Sequence, residues 1–367
     1  MKSRPRALEQ AASRASARRR WWTSLARTAF GLALLAALVF WGQIDLRALL
    51  ELSAAPLAVV TCLVLLCVAL PLAALRWSIL LRALGVSISF VNVFHFVAIG
   101  LMANVLLLGS AGGDTIRGIY AWRALGRGGG RVAVSVLADR LFALFAVLFI
   151  SLAFSLLYWH RMQQVPALAA LGMSIIAAAT ACVIGTCILF AAPNLMRSLE
   201  LVLSRWPLIA KLFVQVRELI LMLRTNPLSL LAAFALALVT QILTVFGVLV
   251  IAEAIKIGVL RLADYMFAVP LTLIVNALPL TPSGIGVGEA AFDQICRWLE
   301  PTSSGAAYSS IFFAFRIVST LTCVPGLISL VIYRKSARSG HCNVVSYCDS
   351  TESDFAPTFS SKSSTDR

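Results

Sequence analysis

Two segments of the chain combine asparagine, glycine and charged residues next to long apolar runs, a pattern that indicates a binding site. The first begins at Asn104, ends at Arg117 and contains Gly112-Gly113-Asp114. Glycines permit positive φ and close backbone approach, and successive N–H groups in such a turn form an anion-binding concavity. An arginine at its edge binds phosphate through two parallel hydrogen bonds. The pattern is compatible with a phosphate site, but it is weak on its own, and a plain loop whose arginine only sets topology explains the same residues.

The second segment is interrupted by prolines and glycines. Its candidate site residues are Asn276, Pro279, Pro282, Gly284, Gly286 and Glu289. Prolines stop an incoming helix, and glycines allow an irregular crossing. Glu289 then starts the next helix, where a carboxylate suits the positive end of the helix dipole. The alternative interpretation is an exposed helix N-terminal charge with no ligand.

Three further charged residues, Asp139, Arg140 and Arg316, lie inside apolar runs. A charge at mid-bilayer is expensive, so it normally faces a partner or a polar cavity. Two interpretations stay open for these residues. One is a functional site, and the other is a purely structural ion pair, such as Arg316 with Glu289 or with Asp114. The sequence does not decide between them, because a buried pair is poor evidence of function.

These segments lie in a chain with the composition of a membrane protein. Its 367 residues are 60% hydrophobic and 13% charged, and the mean hydropathy is +0.90. A soluble domain carries about 25% charged residues. The net charge of +15 comes from arginines at the ends of apolar runs, as expected for residues that set topology, so we predict no nucleic-acid partner.

The cysteines and histidines form no ligand pattern. The eight cysteines include no Cys-x-x-Cys, and the three histidines are scattered along the chain. We therefore predict no metal and no cofactor.

The apolar pattern predicts an all-α, polytopic integral membrane protein. About six full spans are expected from run length and flanking charge, at 28–41, 56–75, 132–158, 167–192, 228–251 and 305–333. The two segments described above are predicted as re-entrant or broken helical elements, since non-helical backbone at membrane depth needs cover from protein or a water-filled cavity. For the first, a complete span is the alternative. The two elements enter from opposite faces, which raises the hypothesis of two inverted pseudo-repeats.

The domain organisation follows from the same pattern. We predict a basic N-terminal segment at 1–27, a transmembrane domain at 28–335 and a disordered polar tail at 336–367. Within the transmembrane domain, 194–225 is predicted as an amphipathic cytoplasmic helix that links two halves. The positive-inside rule places both termini in the cytoplasm.

The order and spacing of several motifs resemble the flippase-like family, the transmembrane region of lysylphosphatidylglycerol synthases and their stand-alone relatives. The motifs are Arg76-Trp77, Leu81-Arg82, Asn104, Gly112-Gly113-Asp114 with Arg117, Asp139-Arg140, Leu278-Pro279-Leu280-Thr281-Pro282, Gly284 to Glu289, and Arg316. The chain departs from the family pattern at Leu108-Gly109, where a proline is usual, and at Ser283, where a glycine is common.

The resemblance implies a bacterial inner-membrane protein that moves a lipid or lipid-linked head group between leaflets. Some members precede an aminoacyl-transferase domain, which we do not expect in this chain, so we predict that it is not an enzyme. The expected partner is a membrane phospholipid or glycolipid, with a homo-oligomer or a biosynthetic membrane enzyme as further candidate partners.

The resulting hypothesis is a translocase that does not use ATP, because the sequence has no Gly-x-x-x-x-Gly-Lys-Ser/Thr loop. In this hypothesis Arg117, Arg140 and Arg316 hold a phosphorylated head group. The carboxylates of Asp114, Asp139 and Glu289 lie beside it, and Asp139 or Glu289 carries a proton if transport is ion-coupled. Two alternatives stay open, an integral-membrane transferase acting on lipid-linked substrates and a structural or regulatory membrane subunit.

Overall fold

The computed structural model describes the greater part of the predicted transmembrane domain. The described residues are 46–106, 110–125, 129–191, 227–257, 260–277, 281, 284–301 and 307–338, with Ala33, Ala36 and Phe40. The predicted N-terminal segment, nearly all of the first span, the linker at 194–225 and the tail from 339 onward lie outside the described residues. The same holds for Pro279 and Pro282.

The described residues form an all-α protein. The helices are α1 (Leu46–Ser53), α2 (Pro56–Ala83), α3 (Phe90–Leu106), α4 (Ser110–Leu125), α5 (Gly129–Leu157), α6 (Trp159–Met162), α7 (Pro166–Ala191), α8 (Pro227–Ile255), α9 (Leu262–Ala277), α10 (Val287–Leu299), α11 (Tyr308–Thr320) and α12 (Cys323–Arg338). Three of the long helices begin with proline, which fits the first helical turn because its missing N–H would have no intrahelical partner there.

Five helical segments of the described residues are long and apolar enough to cross a membrane. They are Pro56–Ala83, Gly129–Leu157, Pro166–Gly185, Pro227–Ile255 and Tyr308–Tyr333. Each corresponds to one of the spans predicted from the apolar runs, so the prediction of a multi-pass helical membrane protein is confirmed. The remaining predicted span, 28–41, falls outside the description.

The last of these segments was predicted as one span at 305–333, but it is not one continuous helix. It breaks at Leu321 and Thr322, where α11 ends and α12 begins. The Thr322 hydroxyl donates to the backbone carbonyl of Ser319 at 2.6 Å, which gives one of the carbonyls at the break a partner. The helix also continues to Arg338, beyond the predicted domain boundary at 335.

Two shorter apolar helices, α3 and α9, carry the asparagines of the two candidate segments. Each is followed by a helix that begins with the charged part of the segment, α4 after α3 and α10 after α9. Gly112, Gly113 and Asp114 lie in α4, and neither glycine has positive φ, so their interpretation as a loop turn is wrong. The second segment keeps an irregular backbone, because Gly284 and Gly286 have φ of 69° and 81°.

Two apolar clusters surround these elements. One is centred on stacked aromatic rings of α10 and α11, with the Phe292 and Phe312 centroids 5.5 Å apart. The other joins Trp77 of α2 to Phe96 of α3 and their neighbours. The long helices α2 and α8 pack along each other.

Candidate functional site

The first candidate site is a group of ion pairs that we call the aspartate–arginine cluster, formed by Arg76, Asp114, Arg117, Asp139 and Arg140. Its buried centre is Asp139 on α5. The Arg76 Nε lies 2.6 Å from Asp139 Oδ1, and the Arg117 Nη2 lies 2.8 Å from Oδ2. All three side chains are at least nine-tenths buried. Both carboxylate oxygens therefore bind a guanidinium, which compensates for the cost of burying the charges.

Asp114 extends this cluster toward the surface. Its Oδ1 lies 3.0 Å from Arg117 Nη2, and its Oδ2 pairs with the Nε of Arg140. The Asp114 side chain is 16% exposed, whereas the Arg140 side chain is 42% exposed. Three arginines thus meet two aspartates, so the cluster has a net charge of +1.

Arg117 has the most constrained environment of the three arginines. Its guanidinium lies 5.0 Å from the centre of the Trp77 ring, and the Trp77 indole donates to the Ser135 hydroxyl at 3.1 Å. Burial alone would lower the pKa of Arg117, but the charges of Asp139 and Asp114 outweigh burial and raise this pKa above its ordinary value. The Arg117 Nε is buried and finds no hydrogen-bond partner among the described residues.

Close backbone packing positions Asp114. The Asn104 side chain accepts a hydrogen bond from the Gly113 backbone N–H at 2.9 Å. A Cβ on Gly113 would overlap both the Gly100 carbonyl oxygen and the Asn104 amide. Glycine is therefore required here for close approach of α4 to α3, rather than for an unusual φ.

A second group, the glutamate–arginine cluster, is formed by Asn276, Gly284, Gly286, Glu289 and Arg316. Arg316 Nε lies 2.6 Å from Glu289 Oε1, and its Nη2 donates to Asn276 Oδ1 at 3.1 Å and to the Gly284 carbonyl at 3.2 Å. Glu289 is fully buried. Of the pairings left open by the sequence, Arg316 with Glu289 is the one observed.

Glu289 also holds the start of α10. Its Oε2 accepts a hydrogen bond from the Gly286 backbone N–H at 2.8 Å, as in a capping box. The prediction that Glu289 opens this helix is confirmed. Asp293, one turn further on, instead pairs with Arg297 at 2.5 Å and accepts from the Ser309 backbone N–H at 3.3 Å.

Arg117, Arg140 and Arg316 were predicted to hold one head group. The structure places Arg117 and Arg140 in the aspartate–arginine cluster and Arg316 in the other. Helix α11 carries Arg316 and, one turn later, Ser319, which lines a cavity together with Arg117.

That cavity, which we call the polar cavity, has a volume of about 350 Å³ and lies among α2, α3, α4, α8 and the α11–α12 break. Half of its lining residues are apolar or glycine, among them Leu66, Leu70 and Val97. Its polar lining residues are Asn104, Asp114, Arg117, Thr240, Gln241, Thr244, Ser319 and Thr322. Hydroxyl and amide groups next to a guanidinium are groups that hydrogen-bond phosphate or glycerol oxygens.

Sequence reasoning missed the role of Arg76. Its position indicated a cytoplasmic topology residue, but it is buried and pairs with Asp139. Gly288 belongs to the glycines that were predicted to carry an irregular crossing, and its closest contacts add a steric reason for glycine, because a Cβ there would lie 2.8 Å from Asn276 Oδ1 and 2.9 Å from Arg316 Nη2. The signal available for Arg76 was its position next to Trp77 at the end of a long apolar run.

Comparison with known proteins gives a family match. The profile of the family described as Lysylphosphatidylglycerol synthase TM region matches residues 28–325, which include both clusters. A UPF0104 membrane protein of Pyrococcus horikoshii is 29% identical over 127 residues, which are 34% of this chain and 38% of that protein. No solved structure matches the chain.

Proposed function

Because this chain belongs to the Lysylphosphatidylglycerol synthase TM region family, we propose that it moves a phosphorylated lipid, or a lipid-linked head group, between membrane leaflets. The observation that supports this most directly is the surplus positive charge of the aspartate–arginine cluster beside the polar cavity. A phosphodiester has one negative charge and offers hydrogen-bond acceptors that match a guanidinium.

The position of this charge in a membrane protein strengthens the proposal. Ionisable residues among apolar helices are costly, and they commonly mark a substrate pathway. Arg140 is the accessible arginine of the cluster, whereas Arg76 and Arg117 are held by Asp139. Arg117 and Asp114 line the polar cavity, and Arg140 lies beside it through its pair with Asp114. A head group that enters this cavity would therefore meet Arg117 and the Asp114–Arg140 pair, while its acyl chains stay in the bilayer.

The proposed transport is downhill or ion-coupled, because the sequence has no ATP-binding loop of the Gly-x-x-x-x-Gly-Lys-Ser/Thr type. We place the protein in a bacterial inner membrane with both termini in the cytoplasm. The proposed partner is a phospholipid or glycolipid of that membrane, and the protein itself carries out no group transfer.

A structural or regulatory subunit is the second candidate, and one observation favours it. Glu289 is fully buried and both of its oxygens are bound, so the glutamate–arginine cluster is built to hold α9, α10 and α11 together. If the other cluster has the same role, the protein stabilises a partner complex and binds no lipid head group.

Reconstitution into liposomes tests the proposal. Head-group-labelled anionic, zwitterionic and glycosylated lipids are placed in both leaflets, and the outer label is quenched from outside. We expect exchange well above that of protein-free liposomes, and loss of exchange in the double variant Arg117→Ala, Glu289→Gln. The same lipids are then analysed by mass spectrometry.

The outcomes separate the candidates. Exchange without chemical change of the lipid supports translocation. A covalently altered head group indicates a transferase. No exchange of any lipid by a correctly folded wild-type protein contradicts translocation and favours the subunit.

A further inference from the structure

A second cavity starts at the same aspartate but has a different character. It has a volume of about 490 Å³ and lies between α4 and α5. Apart from Asp114 and Thr115 at one end, its lining is apolar or glycine and includes Ile119, Trp122 and Val136. We call it the apolar groove.

Glycines keep this groove open. Gly118 contributes no side chain to its wall, and a Cβ there would make only an ordinary contact, 3.7 Å from Val136 Cγ2. On the opposite helix, a Cβ on Gly129 would lie 2.9 Å from the Trp122 indole. The Trp122 side of the groove faces outward, because Trp122 is 51% exposed.

Asp114 lines both the polar cavity and the apolar groove. Its two oxygens bind Arg117, which also lines the polar cavity, and Arg140, so two guanidinium groups of a cluster with net charge +1 lie next to the place where the two cavities meet. A ligand that fits both must join an anionic, hydrogen-bonding part to a hydrocarbon part. A water-soluble anion has no hydrocarbon part to bury in the apolar groove, and an uncharged hydrocarbon has no charge to pair with the cluster.

We infer that the apolar groove binds one acyl chain of an anionic glycerophospholipid whose phosphate contacts Arg140 next to Asp114. The phosphate competes with the Asp114 carboxylate for the Arg140 guanidinium, and the glycerol oxygens face the hydroxyl groups of the polar cavity. The inference rests on the proposed function and deepens it, because it makes the phospholipid itself the substrate and assigns its chain to α4 and α5.

Photolabelling tests this assignment. The full chain is reconstituted with phosphatidylglycerol that has a diazirine on one acyl chain, irradiated and digested. We expect label on the peptides of α4 and α5 that line the groove. Gly118→Leu fills the groove and should reduce this label about tenfold, as a one-site overpacking penalty implies. Gly118→Ala is the matched control and should retain the label.

Two further probes define the ligand class. Glycerol phosphate has the charge but no chain, so it should not reduce the label at equal concentration. A photoactivatable polyprenyl phosphate tests a different hydrocarbon, and label from this probe in place of the phospholipid overturns the inference. Label distributed over all lipid-facing helices, unchanged by Gly118→Leu, also overturns it.

Leaflet exchange is measured on the same preparations. Label in the groove without exchange leaves the inference standing and contradicts the proposed function. Exchange without groove label, unaffected by Gly118→Leu, leaves the proposed function standing and contradicts the inference.

Discussion

The Asn104 amide oxygen accepts a hydrogen bond from the Gly113 backbone N–H at 2.9 Å and so joins the end of α3 to the start of α4. Asn276 has the corresponding place at the end of α9, where its amide oxygen would lie 2.8 Å from a Cβ on Gly288. In both places the glycine is followed immediately by a carboxylate of the cluster, Asp114 after Gly113 and Glu289 after Gly288. The two clusters thus share an arrangement of asparagine, glycine and carboxylate, which supports the hypothesis of two pseudo-repeats.

Replacing Gly113 with alanine should destabilise the protein. The added Cβ would overlap the Gly100 carbonyl, which is backbone and does not move independently. We expect a loss of about 1–3 kcal/mol, the usual size of an overpacking penalty. Thermal unfolding in detergent measures the change.

Gly130→Ala is the control for this variant. Gly130 also lies in a helix, but a Cβ there would meet nothing within 4 Å. It should leave the unfolding temperature unchanged or raise it slightly, because alanine favours helix. Equal effects of the two substitutions would contradict the close approach of α3 and α4.

Asp139→Asn should lower stability severely. The substitution removes the negative charge that both Arg76 and Arg117 bind, and leaves two buried guanidinium groups poorly compensated. Breaking a buried pair costs about 3–5 kcal/mol. The free energy of unfolding is compared with that of Glu51→Gln, which neutralises an exposed carboxylate. If the two variants unfold alike, Asp139 does not hold the cluster together.

Arg316→Lys should weaken the second cluster although the charge is kept. The guanidinium binds Glu289, Asn276 and the Gly284 carbonyl at once, and an ammonium cannot reproduce this fork. Each lost charged hydrogen bond is worth about 1.5–3 kcal/mol. Arg297→Lys is the control, because Arg297 pairs with Asp293 on its own helix and is partly exposed. If Arg316→Lys lowers the free energy of unfolding no more than Arg297→Lys does, the three hydrogen bonds of the Arg316 guanidinium do not stabilise the cluster.

Gly284→Ala should destabilise the protein for two separable reasons. Its φ of 69° disfavours any residue with a Cβ, and that Cβ would also overlap the Asn276 amide. The Asn276→Ala background removes the overlap but not the backbone strain. Gly284→Ala should therefore still cost about 1 kcal/mol or more in that background. Full recovery in the double variant would show that the overlap alone matters.

The spans of this fold were predictable because an apolar run is a local property of the sequence. The five described spans follow runs such as Pro227–Ile255, whose composition alone requires a hydrocarbon environment. The break at Leu321 and Thr322 was not predicted, although the sequence marks it. Pro325 has no N–H to donate to the carbonyl four residues earlier, that of Leu321, so a continuous helix is disfavoured at this point.

The candidate site was only partly predictable, because its contacts join distant positions. Glu289 and Arg316 were identified from their charge inside apolar runs, and their pairing was one of the alternatives considered. Arg76 is 63 residues from Asp139, and its role depends on how α2 packs against α5. Gly113 was correctly selected as a glycine that allows close approach, but its helical conformation follows from packing against α3.

The most direct test of the central claim compares the leaflet exchange of phosphatidylglycerol and phosphatidylcholine in Arg140→Gln and Arg123→Gln liposomes. Both arginines are exposed, but only Arg140 belongs to the aspartate–arginine cluster. The account predicts that wild-type protein and Arg123→Gln exchange the anionic lipid faster, and that Arg140→Gln loses this preference while unfolding at the wild-type temperature. Retention of the preference in a folded Arg140→Gln variant would contradict it.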